Sequence, residues 1–229
     1  MRLIEEKGRH VTTLRRLALG LLLVVGAVGL IATSVADFNA QTNNAGTFSS
    51  GTIVLSNART GGTTCLSTGG GSTDTNSNSI GCDDLIAATI QKPGGPTTTR
   101  IVTVRNVGSI AASTFHLFAN TLCVSTDALA ETYHGTGDVC TAIALTIHDD
   151  TNNWCYYPTN ATGACALAPA STLATFGTLY PSDTTPLTLS TTALSSGIAF
   201  SISTQMSSTA TNSMQGRAGT IGFGWKIAQ

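Results

Sequence analysis

The stretch TTRIVTVRNVGS (98–109) decides the fold class. Val102 and Val104 fall on one side of the chain, and Thr103 and Arg105 fall on the other. Strict alternation of this kind marks a strand with one buried face. Asn106-Val107-Gly108-Ser109 then supplies turn chemistry, because Asn, Gly and Ser each stabilise a reversal in their own way. One strand followed by one tight turn is the unit of an antiparallel sheet.

The same period recurs on both sides of it. STFHLFA (113–119) sets Phe115, Leu117 and Ala119 on one face. CTAIALTIHD (140–149) does so with Ile143, Leu145 and Ile147. GIAFSISTQM (197–206) aligns Ile198, Phe200 and Ile202. GTIGFGWKIAQ (219–229) alternates Ile221, Phe223, Trp225 and Ile227 against Gly222, Gly224 and Lys226. Shorter candidates are GTIVLS (51–56), LIAATI (85–90) and WCYY (154–157). STLATFGTLY (171–180) and TPLTLS (185–190) read as edge strands, with Pro181 and Pro186 beside them. QKPGGP (91–96) breaks regular structure between two of these runs. About eight to ten short strands bounded by turn residues, with no helix beyond the first 36 residues, predict an all-β antiparallel sandwich or barrel.

The N-terminus is different in kind. Residues 17–36 carry no charge and consist mostly of Leu, Val, Ala and Gly, after Arg2, Lys7, Arg9, Arg15 and Arg16. A basic start, an apolar centre and a small-residue exit make a secretory signal, here residues 1–36, expected to be helical. Ser34-Val35-Ala36 places cleavage between Ala36 and Asp37. The alternative is an uncleaved anchor, since about 20 apolar residues can span a bilayer. The remainder, residues 37–229, is long enough for one domain with its own core.

Of the eleven Lys and Arg, six lie after residue 36, as do ten of the twelve Asp and Glu. The charges are few and scattered, so no basic patch neutralises phosphates and nucleic acid is not an expected partner. Thr, Ser, Asn and Gly must make the surface polar. Thr, β-branched and stiff at χ1, suits a half-exposed pleated sheet.

All six cysteines, Cys65, Cys82, Cys123, Cys140, Cys155 and Cys165, come after the signal. An even count in an exported chain argues for disulfides. Many pairings are possible, and we favour 65–82, 123–140 and 155–165, because each pair brackets a Gly-rich or polar loop. Each closure would stabilise by about 3 kcal/mol in the chain-entropy picture. No C-x-x-C pair exists to suggest structural zinc. Residues 123–170 read as a Cys-rich insertion decorating a single domain, 47–229.

Candidate chemistry is thin. His116 sits on a strand facing solvent, His134 lies in a turn, and His148 precedes Asp149 and Asp150. HDDTNN (148–153) could hold a metal, or could simply be a turn. H-E-x-x-H is absent. DTNSNS (74–79) begins like a calcium loop, but Ser79 stands where Gly is required and Leu85 where Glu is required. No G-x-S-x-G elbow is present. We expect no cofactor, no metal and no enzymatic activity. Asn160-Ala161-Thr162 is a glycosylation triplet whose use depends on the host. In NNWCYYP (152–158), Trp154, Tyr156 and Tyr157 could stack sugar rings, or could pack around a disulfide.

Two ends and one turn carry a resemblance. They are ADFNAQTNNAGTFSSGTIVLSNA (36–58), with Thr47-Phe48, Gly51-Thr52-Ile53 and Leu55; VTVRNVGS (102–109); and TNSMQGRAGTIGFGWKIAQ (211–229). In their order and spacing they resemble the TasA/camelysin family of exported matrix-fibre proteins, with its SipW-dependent type of signal peptide. The resemblance covers about a third of the chain. It implies a jelly-roll subunit that polymerises by donor-strand exchange. The donor would be Asp37-Phe38-Asn39-Ala40-Gln41-Thr42-Asn43-Asn44-Ala45-Gly46, handed to the next copy. The familiar members lack this Cys set. Some members are called metalloproteases, a property we do not carry over, since no zinc motif is present.

The expected function is therefore a secreted structural subunit of an extracellular fibre, in a biofilm matrix or a pilus-like filament. Its partners would be copies of itself, head to tail, and accessory fibre proteins. The membrane would be met only through the precursor's signal. The rival readings are a monomeric cell-surface glycan- or protein-binding module and a secreted metallopeptidase. The chain closes on an alternating run without a sortase-type sorting signal, so covalent wall attachment is not expected.

Overall fold

The computed structural model describes residues 51–69, 82–86, 91–128 and 131–229, all within one compact unit, Ser50–Gln229. The signal, the cleavage site at Ala36 and Asp37, the donor segment 37–46 and the loop 74–79 lie outside the described residues. So do residues 87–90 of the strand expected at 85–90; Leu85 and Ile86 are described and form a bend, not a strand.

Ten strands and one α-helix are present among the described residues. The strands are β1 (Leu55–Arg59), β2 (Thr64–Leu66), β3 (Thr98–Asn106), β4 (Thr114–Asp127), β5 (Ile143–Asp149), β6 (Trp154–Tyr157), β7 (Ala161–Thr162), β8 (Leu187–Leu189), β9 (Ile198–Met206) and β10 (Arg217–Ala228). The helix, α1, spans Leu173–Leu179. Seven strands form one sheet in the order β2-β1-β3-β9-β5-β6-β7. Three form a second, β10-β4-β8. Neighbouring strands in both sheets run antiparallel. The protein is mostly β, with three disulfides.

The alternation read from the sequence sets the core. On β9, Ile198, Phe200 and Ile202 are buried, and the residues between them are partly exposed. On β3, Val102 and Val104 are buried beside Phe200 and Ile198, their cross-strand partners. Phe115 and Leu117 of β4 face them from the smaller sheet. The Phe115 ring meets Phe200 edge-on at 5.9 Å. This sheet-on-sheet layer of interdigitated apolar side chains forms the core.

Asn106 closes the first strand–turn unit. It donates from Nδ2 to the Ile110 carbonyl at 2.7 Å and accepts from Gly108 N–H at 3.0 Å, which ties the turn to itself.

Two expectations need correction. STLATFGTLY is a helix rather than an edge strand. Thr172 caps it by accepting from Thr175 N–H at 3.2 Å, and Leu173, Phe176 and Gly177 form its buried face. Residues 123–170 are not an insertion. They include β5, which pairs with β9 along seven positions and buries Leu145 and Ile147 completely. The tyrosines of β6 take the packed alternative. A register shift between Ile147 and His148 sets Cys155 to Tyr157 of β6 against only these two residues of β5. Such a bulge disturbs the in–out alternation. Adjacent Tyr156 and Tyr157 are both buried, at 6% and 3% exposure.

The disulfides join Cys65 to Cys82, Cys123 to Cys140 and Cys155 to Cys165, the sequential arrangement. The second clips a short 3-10 turn, Val139–Thr141, onto β4.

Candidate functional site

The feature that sets this molecule apart is β10. It is the longest strand after β4, with twelve residues. It pairs with β4 on one side, and on its other side no strand pairs with it among the described residues. Its core-facing side chains, Ile221, Phe223, Trp225 and Ile227, pack against the core yet stay only partly buried. Their counterparts on β4, Phe115, Leu117 and Ala119, are at most 1% exposed. A fully covered sandwich would bury both sets alike. The Trp225 ring lies 5.2 Å from Phe200 and 5.8 Å from Phe115, and its indole N–H is buried without an acceptor.

β10 is held firmly in place. At its start Arg217 pairs with Asp127 and donates to the Ser125 carbonyl at 3.0 Å. Near its end Lys226 pairs with Asp183 at 2.7 Å. That ammonium, as donor and as charge, lowers the Asp183 carboxyl below its ordinary value. Two glycines serve packing. A side chain at Gly219 would crowd Val139 and the Cys123–Cys140 bridge, and one at Gly224 would strike the Phe118 ring. The result is a long strand whose outer row of N–H and C=O groups meets no strand among the described residues.

The tyrosines for which the sequence leaves sugar stacking or internal packing open sit elsewhere. Tyr156 and Tyr157 belong to the core and present no face to a sugar. Tyr156 accepts from Ser190 N–H at 2.7 Å, and Tyr157 meets Phe176 edge-on at 5.4 Å. Burial pushes both phenols up, Tyr157 to about 12. Trp154 is half-buried and donates to Asn160 Oδ1 at 3.0 Å. So the aromatics of WCYY do not form a stacking platform together, and bulge-driven packing replaces it.

His148 contacts Asp150 at 2.7 Å, and Ser201 donates to the same carboxylate at 2.6 Å. The hydroxyl meets the carboxylate rather than the imidazole, so the trio lacks the serine–histidine contact that activates a nucleophile. Asp149 is spent on its own turn, accepting from Thr151 and Asn152 N–H. His134 binds the Gly216 carbonyl at 2.8 Å, and His116 lies across from Lys226. Among the described residues no three His, Cys, Asp or Glu side chains converge as metal ligands. An open depression of about 390 Å³ is lined by Thr141, Thr172, Thr175, Thr178 and small apolar residues. Its hydroxyls are partly tied up locally, as Thr175 is to the Ala170 carbonyl and Thr178 to that of Ala174.

No helix among the described residues is long and apolar enough to cross a membrane. No protein-family model and no curated protein matches the chain.

Proposed function

We propose that the protein is an exported fibre subunit that polymerises through the unpaired edge of β10. The observation that carries this reading is the half-covered state of Ile221, Phe223, Trp225 and Ile227 along a twelve-residue strand that has no partner on one side among the described residues. A strand added there satisfies the outer row of backbone groups, covers those side chains, and brings carbonyls toward the orphaned Trp225 N–H.

The donor we propose is residues 37–46 of the next copy, as in the TasA/camelysin family that the ends of the chain resemble. Ten extended residues reach roughly 33 Å, and the twelve of β10 run roughly 40 Å, at about 3.3 Å per residue. The donor is therefore long enough to cover most of the edge. About ten hydrogen bonds, two for each of the five donor residues that face the edge, at roughly 1 kcal/mol each add to the burial of the aromatic row. Asn39, Gln41, Asn43 and Asn44 keep the segment soluble until it is accepted. A head-to-tail contact of this kind does not close on itself and yields a filament.

In this reading residues 1–36 are a signal removed before Asp37, and the completed two-sheet domain is a jelly roll. Three disulfides suit an oxidising compartment outside the cytosol. The test is deletion of residues 37–46 from the processed protein. Folded monomers with an unchanged circular-dichroism spectrum, in place of sedimentable filaments, are expected. Normal filaments from the deletion variant refute donor-strand exchange.

A further inference from the structure

We propose that Asn160 is a site of N-linked glycosylation. Asn160-Ala161-Thr162 is the one Asn-x-Ser/Thr triplet in the chain, and its middle residue is not proline. The fold displays it. Asn160 is exposed in the tight connection between β6 and β7, with φ of 50°, a left-handed conformation that Asn tolerates well. Thr162 is exposed as well, two residues on.

The side chain is oriented for the chemistry. Trp154 Nε1–H donates to Asn160 Oδ1 at 3.0 Å, which fixes the carboxamide by its oxygen. The bond leaves Asn160 Nδ2, the atom that would carry the sugar, uninvolved. It therefore survives substitution at nitrogen. The half-buried indole then lies beside the first sugar, where an aromatic face can support it. Pairing of Trp154 with Thr162 and the Cys155–Cys165 bridge hold the hairpin rigid around the attachment point.

The co-reactant is an oligosaccharide carried on a membrane-lipid diphosphate. Asn160 Nδ2 forms a bond to the sugar's anomeric carbon, and the bond from that carbon to the diphosphate oxygen breaks. The amide proton passes to a base of the transferase, and the lipid diphosphate leaves. No oxidation or reduction occurs.

The location gives the modification a role. β7 is one of the two edge strands of the seven-stranded sheet among the described residues. A glycan on the adjoining residue shields that edge from unwanted pairing and leaves the edge at β10 unobstructed. This role, and the access to a transferase, rest on the reading of the chain as an exported fibre subunit.

The test is peptide mass measurement on protein made by its native cells, recovered from both the cells and the medium. The Asn160 peptide of the exported protein is expected to be heavier by whole sugar units. Enzymatic removal of the glycan should convert Asn160 to Asp. Thr162→Ala should abolish the added mass while leaving export and the urea midpoint unchanged, and Thr162→Ser should retain part of it. Exported protein with an unmodified Asn160 overturns this proposal alone. Unmodified protein that stays inside the cell overturns both it and the export reading.

Discussion

Phe200→Ala tests the packing argument at its centre. Phe200 is completely buried on β9, and its ring meets Phe115 at 5.9 Å, Trp225 at 5.2 Å and Tyr156 at 6.3 Å. Truncating a buried Phe to Ala costs about 3–5 kcal/mol through lost transfer energy and the cavity left behind. Three aromatic neighbours, each pair contributing about 0.5–1.5 kcal/mol beyond its area, place this site toward the upper end. With a urea slope of roughly 2 kcal/mol per molar, the midpoint should fall by about 2 M. Trp225 rests on this ring, so its fluorescence in the folded variant should shift to the red. Ile101→Ala is the control. Ile101 lies on the opposite face of the neighbouring strand at 41% exposure and should cost under about 1 kcal/mol. Urea unfolding under identical conditions decides the matter. A loss below about 1 kcal/mol for Phe200→Ala, or equal losses at the two sites, would refute the two-sheet core.

Further expectations concern the bridges, the tyrosines and β10. Replacing Cys155 and Cys165 together by Ser should cost about 3 kcal/mol, read from urea midpoints with and without the bridge, in line with a short closed loop. The folded Tyr157 phenol sits at about 12, above its ordinary value of 10.0, because of burial. Its contribution to stability is therefore full below pH 10 and is lost as pH rises toward 12. Thermal unfolding across that window should show the fall, and Tyr157→Phe should lessen it, leaving the part that belongs to Tyr156 and Tyr180, whose phenols burial also pushes up; a stability unchanged from about pH 9 to about 12 would contradict the burial of this group. Gly219→Val should destabilise by about 1–3 kcal/mol, since the new side chain meets Val139 and the Cys123–Cys140 bridge. A midpoint equal to that of the parent would show that the turn carrying Val139 is not held against β10.

Much of the β framework is legible in the sequence. Period two in VTVRN, STFHLFA, AIALTIHD, IAFSISTQM and TIGFGWKIA marks five strands and the faces they bury. The helix is harder to see, because Thr175, Gly177 and Thr178 are poor helix formers. Yet its signal is present: Thr172 as a cap, then Leu173, Phe176, Gly177 and Tyr180 at helical spacing. Residues 123–170 resemble an insertion because their four cysteines mask the alternating run of β5. The inward turn of both Tyr156 and Tyr157 follows from a bulge against β5, a pairing relation that no single stretch of sequence encodes. The edge position of β10 among the described residues is likewise beyond the sequence. Alternation shows which side chains face the core, but strand order alone shows which strand ends a sheet among the described residues.

Hydrogen exchange along β10 tests the central claim most directly. Filaments of the processed protein should be compared with monomers lacking residues 37–46, and with those monomers after addition of a peptide of that sequence. The alternate β10 amides that do not face β4 should exchange quickly in the truncated monomer and become protected in the filament, and the peptide should restore that protection. Identical exchange along β10 in monomer and filament would contradict the account.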